Sequence, residues 1–165
     1  MSRWISIFFG VGLLRPAPGT WGAAVAVGLG LVILRYHGFA VLVAATVAVT
    51  ALGFWAVGRE LAGRPGADPS EIVIDEVAGQ WVALLFPAAA FWWRGSTDWM
   101  PYPAWVAAFL FFRLFDIWKP WIIGWADRRT GPAGVMLDDL MAGVFAGIAT
   151  FVAAGAAHGL MFLWR

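Results

Sequence analysis

The sequence predicts an all-α, polytopic transmembrane helical bundle, and three observations carry that prediction. Hydrophobic residues make up 62% of the 165-residue chain and charged residues only 13%, against roughly a quarter charged in a soluble domain. Apolar windows recur at lengths near the roughly 20 residues that a helix needs to cross about 30 Å of hydrocarbon. Twelve tryptophans suit a protein with long perimeters at headgroup depth, where amphipathic rings settle. A chain of this length reads as a single domain over residues 1–165.

Taken in order, residues 4–14 are too short to span and read as an interfacial or re-entrant piece. Their apolar run lacks a small-residue cleavage site, so the segment is expected to stay with the protein. Residues 22–34 form a short window that can begin at Thr20, and residues 38–57 form a full one. Residues 77–93 contain Pro87 yet still read as a span, because neighbouring helices can satisfy a freed carbonyl. Residues 102–112 run into Arg113, Asp116 and Lys119 before Pro120, so this helix must bring its charges to the interface or a protein-lined cavity. Residues 140–164 complete a scheme of about five spans.

The scheme sorts the charges. Arg3, Arg15, Arg59, Arg64, Arg113, Lys119, Arg128 and Arg129 fall on the N-terminal side, and Arg35, Arg94 and Arg165 on the other. Basic residues mark cytoplasmic loops, so the N-terminus is expected in the cytoplasm. Of the ten acidic residues, all but Asp98 fall on the same side, a bias that orientation alone does not require. A net charge of +1, with no long run of Lys and Arg, excludes nucleic acid as a partner. The absence of cysteine excludes disulfides and thiolate chemistry.

Two acidic dyads stand at helix mouths. Asp75-Glu76 follows the apolar run Ile72-Val73-Ile74 and leads straight into a span, where two adjacent carboxylates are costly unless positive charge offsets them. Nearby, Asp68 is a good N-cap, with Pro69 at the first helical position and Glu71 at the capping-box position. The second dyad, Asp138-Asp139, opens the last span after a glycine-containing stretch. A cap explains one of that pair, most simply Asp138, but not both. Together the dyads offer the hard oxygen ligands that Mg²⁺ prefers, with positions left for water and a phosphate oxygen.

Between the dyads, Arg113, Asp116 and Lys119 recur every third residue and line one helical stripe. They form either a helix-end ion-pair ladder or a phosphate clamp. The turn from Gly12 to Thr20, with Arg15 in it, is a candidate anion nest but lacks the lysine of a Walker loop. His37 and His158 fall on the side away from the carboxylates, and no serine stands beside a histidine that would activate it. Carboxylate and metal chemistry is what remains.

These segments resemble the phosphatidylglycerophosphatase A family. The resemblance runs from about Gly12 to Gly143 through four motifs: Gly12-Leu13 with Pro18-Gly19-Thr20, Ile72 to Glu76, Arg113 to Pro120, and Gly134 through Met136, Asp138 and Asp139 to Ala142-Gly143. It implies hydrolysis of the phosphomonoester of phosphatidylglycerophosphate, Mg²⁺ dependence and a bacterial inner-membrane location, and the sorting of charges puts the active site on the cytoplasmic side.

The expectation is therefore a lipid phosphatase in which Asp75, Glu76, Asp138 and Asp139 hold Mg²⁺, joined by Asp68 or Asp116. Arg113 and Lys119, with Arg15 and Thr20, would receive the phospholipid phosphate. A carboxylate nucleophile forming an acyl-phosphate is the alternative within this chemistry. The competing class is a small ion-coupled transporter, which expects carboxylates spread through the membrane depth and paired across repeats. A headgroup transferase lacks its expected Asp-x-x-Asp-Gly-x-x-Ala-Arg pattern here.

Overall fold

The computed structural model describes residues 1–63, 69–96 and 98–163, with side chains described for all of these except Pro69 and residues 158–163. Every regular element among them is helical: α1 (Ser2–Ser6), a 3₁₀ turn (Phe8–Leu13), α2 (Pro18–His37), α3 (Phe39–Gly63), a 3₁₀ turn (Pro69–Glu71), α4 (Ile74–Trp93), α5 (Tyr102–Trp118), α6 (Ile122–Asp127) and α7 (Pro132–Leu163). Prolines suit the first helical turn, where the missing N–H would be unpaired anyway, and both α2 and α7 begin on one. Gly38, with φ +85°, ends α2 in a backbone region that side chains disfavour.

Among the described residues, four helices are long and apolar enough to cross a membrane: α2, α3, α4 and the Pro132–Ala157 part of α7. The expected fifth span, α5, has 17 residues, or about 25 Å at 1.5 Å per residue. It falls just short of that length, yet it runs from one end of the bundle to the other. Residues 4–14 form no spanning helix; α1 and the 3₁₀ turn occupy them.

Close approaches fix the helix directions. Gly22 meets Val73 and Gly30 meets Trp81 and Leu84, so α2 and α4 are parallel. Gly79 meets Asp139 and Gly147 meets Phe86, so α4 and α7 are parallel too. Helix α3 opposes them: Gly53 lies against Met136 and Ile74 at one end, while Phe39 stacks on Trp92 at the other, with centroids 5.5 Å apart. Helix α5 also opposes them, with Phe115 beside Phe145 near one end and Ala104 and Ala107 sharing a cavity with Thr150 and Ala153 near the other.

Helix α4 is the central element. Its Trp81 indole N–H donates 2.8 Å to the Ala26 carbonyl, satisfying a buried donor between two helices. In lipid, helices gain little from burying apolar surface against each other, so close packing of small residues takes over. Ala23, Ala26, Ala83, Ala108, Ala142 and Ala146 accordingly are fully buried, whereas Leu29, Val47, Ile148 and Phe151 face outward.

Candidate active site

The N-terminus of α4 is pinned before the dyad begins. Ile72, Val73 and Ile74 are all buried. The Val73 N–H donates 2.9 Å to the Ser6 carbonyl, Val73 packs on Gly22, and the Glu71 carbonyl lies against Gly12. Glu71 makes an ion pair with Arg3 at 2.9 Å, and Arg3 also reaches Glu60 at 3.4 Å. Glu71 thus takes part in a clamp that ties α1 to α3 and to the turn before α4, while Asp68, its expected capping-box partner, lies outside the described residues. Asp75 and Glu76 then occupy the first turn of α4, where backbone N–H groups lack helical partners. The Glu76 N–H donates 3.0 Å to Asp75 Oδ1.

The second dyad sits differently from its expected place. Helix α7 begins at Pro132, so Asp138 and Asp139 lie in its second turn, and neither caps it. Both are buried, at 5% and 3% exposure. What brings the dyads together is the contact of α4 with α7. A Cβ on Gly79 would overlap the Asp139 carbonyl, and one on Gly143 would overlap the Gly79 carbonyl. Carboxylate oxygens of Asp75, Glu76 and Asp139 consequently lie within 4.8 Å of one another, and so do those of Asp116, Asp138 and Asp139. Asp139 belongs to both groups.

Helix α5 supplies the cations, but the expected stripe is broken. Arg113 pairs with Asp116 at 2.5 Å, both side chains being largely buried. Gly19, at the start of α2, approaches Glu76 and the Arg113 guanidinium so closely that a Cβ there would strike the Glu76 carboxylate. Lys119 leaves the helix: its backbone is left-handed, with φ +49° and ψ +51°, unusual for a side chain other than Gly or Asn. Its Nζ donates to Asp127 Oδ1 at 2.5 Å and to Asp138 Oδ2 at 2.7 Å. Burial by itself would lower the Lys119 pKa, but the hydrogen bonds from Asp127 and Asp138 outweigh it and hold the ammonium above the ordinary lysine value.

A cavity of about 270 Å³ opens among these groups, with Asp75, Glu76, Asp116, Lys119, Asp127, Asp138 and Asp139 on its wall, together with Ser70. Cavities of about 220 and 790 Å³ lie at the opposite end, near Arg35 and Arg94. The six carboxylates on this wall face two cationic side chains, Arg113 and Lys119, so the acidic groups outnumber the basic ones by four. Among the described residues, Glu76 Oε2 and Asp138 Oδ1 are buried without a hydrogen-bond partner. Buried anionic oxygens without partners are costly, and a hard divalent cation is the group their chemistry fits.

Of the remaining expected residues, Thr20 follows Gly19 but does not line the cavity, and Arg15 is exposed. Asp68 lies outside the described residues, as does the side chain of His158. His37 ends α2, the helix whose first turn is at the carboxylates. Asp127 and Ser70 belong to the cavity wall without having been singled out from the sequence. Asp127 is masked there by Arg128-Arg129, which read as an orientation signal.

The family model described as phosphatidylglycerophosphatase A matches residues 4–154. The chain belongs to the phosphatidylglycerophosphatase A family. Its relatives of that name include proteins from Haemophilus influenzae, 32% identical over 89% of this chain and 85% of the relative, and from Escherichia coli, 33% identical over 90% and 81%. A further relative, from Bacteroides thetaiotaomicron, is 37% identical over 88% of each chain and carries the provisional name of a phosphatidylinositol-3-phosphatase. No solved structure matches the chain. The family match covers every element that builds the carboxylate cavity, from α1 into α7.

Proposed function

We propose that this chain hydrolyses the terminal phosphomonoester of phosphatidylglycerophosphate, giving phosphatidylglycerol and inorganic phosphate, with Mg²⁺ as cofactor. The observation that carries the reading is the pair of carboxylate groups sharing Asp139, with unpartnered oxygens on Glu76 and Asp138 facing one small cavity. Membership of the family and the names of its relatives support the substrate.

Asp75, Glu76, Asp116, Asp138 and Asp139 are the residues that would hold Mg²⁺. When bound, the ion supplies Lewis acidity and lowers the pKa of a water molecule. The rest of the reaction falls to the chain's own groups. A cavity carboxylate takes a proton from the attacking water, whose oxygen bonds to phosphorus as the phosphorus–oxygen bond to glycerol breaks. That carboxylate's proton then passes to the released glycerol oxygen, which leaves as the alcohol. Arg113, held by Asp116 and packed near Gly19, and Lys119 offset charge on the phosphate oxygens.

Exposed Leu13 and Leu14 near the start of α2, and Trp118 and Trp121 beside Lys119, suit a rim at headgroup depth. That rim favours a lipid substrate arriving sideways from the leaflet. The excess of basic residues at the same end supports a cytoplasmic active site in a bacterial inner membrane. Helix α5, antiparallel to α4 and α7, makes the fifth crossing.

The test is phosphate release in detergent, with Mg²⁺ and with chelator. The arms are phosphatidylglycerophosphate, phosphatidylinositol 3-phosphate and soluble glycerol phosphate. Release confined to the first lipid and abolished by chelator is the expected result. Full activity in chelator overturns the metal, preference for the inositol lipid overturns the substrate, and turnover of the soluble ester alone overturns lipid specificity.

A further inference from the structure

Lys119 and Asp127 carry an inference that rests on the cation site proposed above. Asp138 serves two masters: its Oδ2 accepts from Lys119 Nζ at 2.7 Å, and the same carboxylate belongs to the group with Asp116 and Asp139 that fits a divalent cation. Asp138 Oδ1 has no hydrogen-bond partner among the described residues, so the ion would take that oxygen, and its repulsion of the ammonium would weaken the hold of Oδ2 on Lys119. The backbone does not follow. Its left-handed turn is locked between α5 and Pro120, and the Lys119 carbonyl sits against Gly124, where a Cβ would come within 2.7 Å. Only the side chain can pivot.

We propose that Asp127 is a positioning residue that retains the Lys119 ammonium in the cavity when a divalent cation takes Asp138, turning Lys119 from a place-holding charge into a donor facing phosphate. Asp127 is suited to this. It is the last residue of α6, a short helix seated by buried Ile123, Gly124 and Ala126. Its carboxylate lies 2.5 Å from Nζ and, unlike that of Asp138, is 46% exposed, so it holds Lys119 without being drawn into the cation group. The bland reading is an exposed ion pair of small energetic worth. It predicts no link between Asp127 and the cation beyond weak, screened attraction.

A double-mutant cycle on Mg²⁺ and Mn²⁺ affinity, measured by calorimetry and by Mn²⁺ resonance on detergent-solubilised full-length protein, separates the two. K119M is expected to bind the ion several-fold more tightly than wild type, having lost the competitor. D127N is expected to bind it about tenfold more weakly, the size of effect usual for residues supporting a metal ligand. In the K119M background D127N should change affinity by less than about twofold, because Asp127 acts through Lys119. D127N should also raise KM for the lipid phosphate more than it lowers kcat. Equal weakening by D127N in both backgrounds, or none in either, overturns the proposal while leaving the cation site standing. A wild-type protein that binds neither ion overturns both. K119R, which keeps the charge, should restore the D127N effect; failure to do so counts against the mechanism.

Discussion

Gly143 stands against the Gly79 carbonyl with no room for a Cβ between them, and this backbone contact holds α4 and α7 in the register that joins their acidic dyads. Neither glycine carries chemistry, yet the distance between Asp75 and Asp139 depends on both.

Replacing Gly143 by Ala should therefore cost both stability and activity. Overpacking of a tight contact typically costs about 1–3 kcal/mol. A lowered unfolding temperature in detergent, accompanied by loss of phosphate release, is the expected pair of results. Loss of neither would show that the two helices can part without consequence.

Asp139 is common to both carboxylate groups, whereas Asp116 belongs to one and is also occupied by Arg113. D139N is expected to reduce kcat/KM more than D116N, because loss of Asp139 breaks both carboxylate groups and loss of Asp116 only one, each loss being at least the roughly tenfold usual around a metal. Initial rates at saturating Mg²⁺ check the order. Equal losses would deny Asp139 its shared place.

Lys119 is held above the ordinary lysine value of 10.5 by its two carboxylate partners. A raised pKa in the folded state means that the charge, and the stability it confers, is fully present below 10.5 and goes only as pH rises through the higher folded value. An alkaline loss of stability of the metal-free protein between about pH 7 and pH 10 thus belongs to another group. Arg does not titrate in this range, so the unfolding temperature of K119R should show the same alkaline loss as wild type. Disappearance of that loss in K119R would place it on Lys119 after all.

Gln80 is fully buried, and neither atom of its amide has a hydrogen-bond partner among the described residues. An unpartnered buried polar group costs about 1–3 kcal/mol, which an apolar side chain of similar shape recovers. Q80M should raise the unfolding temperature. A decrease would reveal a partner for the amide, such as a buried water.

Much of the site was legible because its physics is local. Two adjacent carboxylates at a membrane boundary demand an explanation wherever they occur, and Asp75-Glu76 and Asp138-Asp139 drew attention for that reason. Their convergence was not legible, because it rests on Gly79 meeting Gly143 across two helices distant in the chain. The cap expected at Asp138 moved because α7 starts at Pro132, a position prolines favour. Lys119 was placed on a helical stripe with Arg113 and Asp116, although the residue before a proline avoids the helical region. That signal was present in Lys119-Pro120 and explains why the ammonium swings to Asp127 and Asp138 instead. Helix α5 was foreseen as a span; its 17 residues make it the shortest of the five long helices.

The parallel arrangement of α2, α4 and α7 has an electrostatic result. All three begin at the carboxylate end, at Pro18, Ile74 and Pro132. Aligned peptide dipoles give each helix start a charge equivalent to roughly half a positive unit. Two such ends lie at the carboxylates, with Gly19 of α2 against Glu76 and Asp75-Glu76 in the first turn of α4, whereas α7 starts more than a turn before Asp138. The scaffold itself thus lends positive potential to a pocket short of cationic side chains, and reversing the direction of α2 or α4 would remove its share.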